Sequence, residues 1–420
     1  MRNRQILIIA ALALCLLLCA CGQTAAEPAA TPAPVETAAP TPTPTPVPTP
    51  TPTPFVEPET EPGGLVTFDG VELESGTLLH EGLGYVKLSE VARALDLELE
   101  RDGQGGFAFD WRKSRVELAG DSDTLRYLDE DRTLEGPALL CQEGEDLLVP
   151  VESFCDGAEI GLLYDEENDH LYCTPGAGNW AVPEGYNVPV MMYHGVGFGS
   201  PDANLFVNTE DMEAQIVWLL DNGYTPIWFE DLWHVEDFNK PILLTYDDGW
   251  YNCYENLLPL VEKYQIKVTI FVVWHFMETS GNHFHLAEAK EMADTGLIAM
   301  ESHTVNHIDL TYLDPDEREY QLAESRLNMT RFFGKEPCAL SYPIGGSNEQ
   351  IQEMTRQYYH FAVKMMAYPD HVYNTSDDPM LIYRFFPEKL TPMHVYQQWC
   401  LSAFPEDTPP EEAPDSSPAP

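Results

Sequence analysis

The stretch Ile242-Leu243-Leu244-Thr245-Tyr246-Asp247-Asp248-Gly249-Trp250 is an apolar run that ends abruptly in two carboxylates and a glycine. A short apolar run bounded by a turn signal is the pattern of a strand covered on both faces, as in a parallel sheet. Comparable runs recur at Val188 to Tyr193, Lys267 to Val273, Leu297 to Met300, Phe361 to Lys364 and Leu381 to Phe386. Between them, Asp211 to Leu220, Tyr254 to Tyr264, Ala287 to Ala293, Asp316 to Phe332 and Glu349 to Tyr358 read as amphipathic helices. Strands alternating with helices over residues 176–404 predict an α/β fold, a parallel sheet closed or nearly closed into a barrel. In such barrels polar residues at the carboxyl ends of strands are the ones to suspect of chemistry.

Two strand ends carry such residues. Successive strand residues face opposite sides, so Asp247 and Asp248 can take different jobs, one on a metal and the other on a water or substrate. Taken alone, the pair also fits an Asp-Asp-Gly turn after an edge strand. The second end is Glu301-Ser302-His303-Thr304-Val305-Asn306-His307. Histidines at i and i+4 on one helical turn face the same way and can share one ion, and neutral imidazole suits Zn²⁺. One Asp with two His leaves positions open for water, which is the donor set of a catalytic rather than a structural zinc.

These residues carry a family resemblance. Thr245-Tyr246-Asp247-Asp248-Gly249 resembles the first motif of the polysaccharide deacetylase family (NodB homology domain, carbohydrate esterase family four). His303-Thr304-Val305-Asn306-His307 is similar to its His-Ser/Thr-x-x-His motif. Ala339-Leu340-Ser341-Tyr342-Pro343-Ile344-Gly345 and the opening Val188-Pro189-Val190-Met191-Met192-Tyr193-His194 resemble the branch that acts on poly-N-acetylglucosamine. The matches span most of residues 186–390, and they imply a distorted (β/α) barrel.

The resemblance implies a role for each matching position. Asp248, His303 and His307 would hold a divalent metal, Zn²⁺ first, with Co²⁺, Mn²⁺ or Ni²⁺ as alternatives. Asp247 would be the general base, and the N–H of Ile344 an oxyanion donor. The late Leu-x-His motif of the wider family is not evident, since His394 stands at the start of a predicted helix and His371 in a loop-like stretch. The acid that protonates the departing amine is therefore expected to be His194, with a core histidine as the alternative. The arginine that usually precedes the third motif is also missing. Arg384 resembles a position where this branch carries one, and the alternative for it is a structural ion pair. Trp250, Tyr251, Trp274 and Tyr342 are candidates to line a glycan groove, and Trp274-His275-Phe276 through His283-Phe284-His285 reads as a surface loop.

Upstream of 176, Gly84 to Leu95 leading into Leu97 to Glu100 is echoed 63 residues on by Leu147 to Phe154 leading into Ile160 to Tyr164. Each copy reads as a short strand, a small helix and a returning strand. Residues 63–175 thus resemble a copper amine oxidase N-terminal-like domain, a small β-rich α/β stalk with no copper-ligand cluster. Residues 21–62 and 405–420 hold 13 and 6 of the 35 prolines and read as an extended linker and a disordered acidic tail. Residues 1–20 have the charged start and short apolar run of a secretory signal. Leu18-Cys19-Ala20-Cys21-Gly22 resembles a lipobox, implying cleavage before Cys21, lipidation of its thiol and an extracytoplasmic address on the membrane. The six later cysteines permit disulfides, Cys155 with Cys173 being the nearest pair, or buried thiols.

The 420 residues carry 69 Asp and Glu against 22 Lys and Arg, a formal net charge of −47. Such a surface argues against nucleic acid as a partner. Deacetylation uncovers amines, so an acidic exterior suits a cationic product polymer. The expected partner is an acetylated glycan, peptidoglycan or poly-N-acetylglucosamine, met by a monomer. A catalytically degenerate glycan-binding protein and a polysaccharide O-acetyl esterase are the competing readings.

Overall fold

The computed structural model describes residues 55–404 apart from 179–181, 185–186, 198–204, 280 and 366–377. The signal, Cys21, the proline-rich stretch up to residue 54, His371 and the tail lie outside the described residues. No helix among the described residues is long and apolar enough to cross a membrane.

Eight strands build the sheet of the C-terminal region: β1 (Val190–Tyr193), β2 (Thr225–Ile227), β3 (Pro241–Asp248), β4 (Val268–Val272), β5 (Ile298–Ser302), β6 (Ala339–Ser341), β7 (Phe361–Lys364) and β8 (Ile382–Tyr383). They pair in parallel in the order β1, β3, β4, β5, β6, β7, β8, with β2 also on β3. Phe385, just past β8, returns to β1: its N–H donates to Val190 O (2.8 Å), and it accepts from the Met192 N–H (2.7 Å). The sheet is therefore a closed barrel. Its lower interior is filled by Val190, Leu243, Phe271, Ala339, Phe361, Val363 and Ile382. The alternate residues Met191, Tyr193, Leu244, Tyr246, Ile270 and Val272 pack outward under the surrounding helices. Burial on both faces is why these strands are apolar without alternation.

β2 and β6 were not expected as strands. Each is three residues long, and β2 contains Pro226, a residue normally read against a ladder. The helices follow their local signals. Pro315–Phe333 begins with Asp314 accepting the Glu317 N–H (2.9 Å) and Pro315 at its first position, and ends at Gly334 with φ 74°.

The N-terminal region is β-rich. Strands Leu83–Lys87 and Asp146–Pro150 of the two repeats pair antiparallel with each other, and helices Leu88–Ala94 and Val151–Gly157 pack into one core with Phe107, Leu125 and Phe154. The second copy returns as strand Gly161–Asp165, but the first does not: Leu97 to Leu99 is irregular and a strand starts only at Glu100. All six cysteines among the described residues are buried free thiols.

Arg331 on the long helix ties this region to the barrel. It forks onto the buried Asp165, Nε to Oδ2 at 2.7 Å and Nη2 to Oδ1 at 2.5 Å, and reaches Glu167 at 2.9 Å. Lys335 bridges Asp69 (3.4 Å) and Glu230 (2.9 Å), and the Glu336 N–H donates to Thr174 Oγ1 (3.0 Å). The Arg331 hydrogen bonds hold the Asp165 carboxyl well below the usual carboxylate range. A group so depressed contributes stability that is present above its unfolded value of about 3.9 and lost as pH falls through the native value. Arg331→Ala should therefore cost about 2 kcal/mol at pH 7, the discounted value of a partly exposed buried pair. In urea titrations the gap between variant and parent should narrow as pH falls below about 4.

Candidate active site

The parallel register brings the carboxyl ends of β1, β3, β4, β5, β6 and β8 to one rim, so His194, Asp247, Asp248, His303, Ser341 and Arg384 converge from distant parts of the chain.

Asp247 continues the inward alternation of Leu243 and Thr245. Its Oδ1 accepts from Arg384 Nη1 (2.7 Å) and its Oδ2 from Arg384 Nη2 (2.6 Å) and the Ser341 hydroxyl (3.1 Å). Arg384 is completely buried and also donates to Thr245 Oγ1 and Ser341 Oγ, each at 3.0 Å. Burial pushes the Asp247 carboxyl up. The Arg384 charge and hydrogen bonds, with His303 and His194 behind them, more than offset this and leave it below the ordinary range.

Asp248 departs from the alternation. It stands at φ 73° and Gly249 at φ 76°, which turns the chain and brings the second carboxylate back to the same rim. Its Oδ1 lies 3.5 Å from His303 Nε2 and 3.3 Å from His307 Nε2. Its Oδ2 accepts the Trp250 indole N–H at 2.9 Å.

His303 and His307 do not share a helical turn. Thr304 (φ 68°) and His307 (φ 55°) are left-handed, and the segment is a tight loop after β5. It is clamped to the segment after β4 by His303 N–H to Val272 O (2.9 Å), Trp274 N–H to Thr304 O (3.1 Å) and His275 N–H to Val305 O (2.9 Å). The i, i+4 spacing brings the rings together all the same, with centroids 4.7 Å apart. His303 donates Nδ1–H to Ser341 O at 2.7 Å, which fixes its tautomer and leaves the Nε2 lone pair facing Asp248. Burial and the neighbouring His303 push the His307 imidazole down to about 4.

The three donor atoms lie within 4.8 Å of one another. Ligand bonds of about 2.0–2.1 Å in a tetrahedron put neighbouring donors about 3.3 Å apart, and the Asp248–imidazole separations match that. Asp248 Oδ1 is also a buried acceptor with no hydrogen-bond donor among the described residues. An orphaned anionic oxygen between two imidazole nitrogens fits a divalent cation.

His194 follows β1 beside Phe386. Burial pushes its imidazole down, partly countered by Asp247 and Asp248, and its Nδ1 is buried without a hydrogen-bond partner among the described residues. Ile344 stands at φ 58° in a turn closed by Gly345 N–H to Tyr342 O (2.9 Å), its side chain 63% exposed.

Other expectations change. Tyr342 is core rather than groove, being 1% exposed, and Trp250 turns its polar edge to Asp248. His283 is not on a surface loop: it is buried, its ring set at a tilt between those of Trp250 and Phe276, while His275 is exposed and His285 precedes helix Leu286–Asp294. Sequence reasoning assigned no role to Thr245, Ser341 or Glu301. The first two are hydroxyls on inward strand positions, a signal present in the quoted motifs. Glu301, its carboxyl pushed up to about 8 by burial, accepts the Ala339 N–H at 2.7 Å and sets β6 beside β5.

Residues 234–362 match the family model for polysaccharide deacetylases. The chain is 34% identical over 170 residues to YxkH of Bacillus subtilis (strain 168), named as a polysaccharide deacetylase, covering 39% of this chain and 58% of that one. It is 27% identical over 165 residues to the poly-β-1,6-N-acetyl-D-glucosamine N-deacetylase of Staphylococcus aureus (strain MSSA476), covering 35% and 56%. The chain thus spans somewhat over half the length of each of these relatives. Among solved structures, a Streptococcus pyogenes deacetylase, PplD, aligns with a TM-score of 0.47 at 24% identity, over 51% of this chain and 98% of that one. The Asp-Asp-Gly strand end and the His-x-x-x-His loop both lie inside residues 234–362, the segment that matches the polysaccharide deacetylase model.

Proposed function

We propose that the protein is a metal-dependent deacetylase that hydrolyses N-acetyl groups on an N-acetylglucosamine polymer outside the cytoplasm, held to the membrane by a lipid on Cys21. The observation that carries this is the buried Asp247–Arg384 pair directly beside the Asp248, His303 and His307 cluster. The name of the staphylococcal relative supports poly-β-1,6-N-acetylglucosamine as the polymer, with peptidoglycan as the other candidate. The N-terminal region and the proline-rich linker would act as a spacer.

Asp248, His303 and His307 would hold the cation, of which Zn²⁺ suits the donors best. When bound, it supplies Lewis acidity, lowering the pKa of a water and polarising the amide carbonyl. Asp247, kept ionised and fixed in direction by Arg384, takes the proton of the attacking water. The Ile344 N–H, on the turn after Ser341, faces the developing oxyanion. The attack forms a C–O bond, the C–N bond then breaks, and His194 delivers a proton to the departing amine, giving acetate and a glucosamine. No arginine precedes the third motif, but Arg384, from the segment after β8, brings a guanidinium to Asp247, which argues against a catalytically degenerate scaffold.

Purified protein given Zn²⁺ should release acetate from N-acetylglucosamine oligomers of one linkage class, and failure on every such oligomer, with acetylated xylan cleaved instead, would mark an esterase. Asp247→Asn should lower kcat about 10²- to 10⁴-fold while bound zinc stays stoichiometric. Arg384→Lys, which cannot make the bidentate fork, should lower kcat with KM and zinc content unchanged. His194→Gln should slow amide hydrolysis about 10²-fold or more yet spare p-nitrophenyl acetate, whose leaving group needs no proton. Equal losses on both substrates would remove His194 from the acid role.

A further inference from the structure

Resting on the metal-dependent reading above, we propose that Trp250 is a positioning residue for the cation site: its indole N–H holds one oxygen of Asp248 so that only the other oxygen faces the metal. The bond from Nε1 to Oδ2 is 2.9 Å, and it is Oδ1 that points at the two imidazole nitrogens, 3.3 and 3.5 Å away. A carboxylate with two free oxygens can grip a cation through both, filling a coordination position that the substrate or water requires. Indole is suited to prevent this because it donates and never accepts, so it occupies an oxygen without competing as a ligand.

The indole is itself held in place. Residues 282–284 lie alongside 249–251 through Tyr251 N–H to Asn282 O and Phe284 N–H to Gly249 O, both 3.0 Å, and Trp250 bridges His283 antiparallel. On that frame stands a column of rings. The His307 ring lies 6.0 Å from Phe276, Phe276 lies 4.5 Å from His283, and His283 lies 4.4 Å from Trp250, which also forms a T-shaped pair with Phe206 at 5.3 Å. The column starts at one ligand and ends, through the indole N–H, at another. Movement of Asp248 relative to His307 would have to disturb this run of tilted ring contacts, which favours the ligand geometry before a metal binds. This also accounts for a buried histidine, His283, that has no part in the proposed reaction.

Trp250→Phe keeps a ring against His283 and removes the N–H. In the purified full chain, Zn²⁺ affinity measured by competition with a chromophoric chelator should fall about 10- to 100-fold. The visible bands of the Co²⁺-loaded variant should weaken as a second carboxylate oxygen raises the coordination number. His283→Phe, which keeps a ring against the indole and leaves its N–H in place, should retain the affinity. Should Trp250→Phe lower the melting temperature of the metal-free protein, the Co²⁺ spectrum still decides, because it reports ligand geometry in the folded fraction. Parental Zn²⁺ affinity and Co²⁺ spectrum in Trp250→Phe overturn the proposal, and a change confined to the KM for glycan does so too by making Trp250 a sugar contact. If the parent protein binds no zinc that Asp248→Asn abolishes, the metal-dependent reading falls and takes this inference with it.

Discussion

Everything at the rim depends on the Asp247–Arg384 ion pair inside the barrel. Arg384 is the single residue between Tyr383, which pairs with Lys364 of β7, and Phe385, which bonds to β1. The step that closes the sheet is therefore the step that delivers the guanidinium to the carboxylate. Its remaining donors reach Thr245 and Ser341, and the Thr245 hydroxyl donates to Met191 O (2.7 Å). Strands β1, β3 and β6 and the segment after β8 are thereby joined through one group. A buried pair of this kind is not in itself a source of stability, since desolvation offsets most of the attraction. Its effect is to specify one direction for the carboxylate.

That neutralisation has an electrostatic consequence for the neighbouring residue. Two carboxylates so close together would repel and one would take up a proton, as in like-charged acid pairs. With Asp247 compensated by a buried cation, Asp248 stands as the uncompensated anion, facing imidazoles of which His307 is pushed toward its neutral form. A carboxylate oxygen facing two imidazole nitrogens suits a divalent cation, whereas two uncompensated carboxylates side by side would draw a proton.

The barrel was legible because most of its strands are continuous apolar runs, and the candidate site because its polar residues end those runs. What escaped the sequence was short or non-local. β2 and β6 are too brief to show a period, and the His303–His307 segment has helical spacing but takes its shape from backbone bonds to residues 272–275. Arg384 was seen as a candidate, yet its partner could be known only once β8 had returned to β1. His283 looked like part of a loop because nothing local announces that residues 282–284 will lie along 249–251. In the N-terminal region the repeat was visible, but not that its two copies pair with each other, nor that the first lacks an immediate returning strand.

The adjacency of Asp247, the proposed base, and Asp248, a proposed metal ligand, is paid for in backbone strain. A regular strand would send Asp248 to the outer face, under the helices with Tyr246. The left-handed turn at Asp248 costs about 1–3 kcal/mol for a non-glycine residue and persists only if its surroundings over-determine it. They do so at three points. Gly249 must also be left-handed, and a Cβ there would stand 3.2 Å from the Phe284 ring. The Phe284 N–H bonds Gly249 O, and Trp250, the next residue, turns back to bond Asp248 itself. The strand end is thus held by contacts that have no strand character. This is what lets two consecutive residues, which a pleated chain would separate, face the same few ångströms of space with different charges to carry.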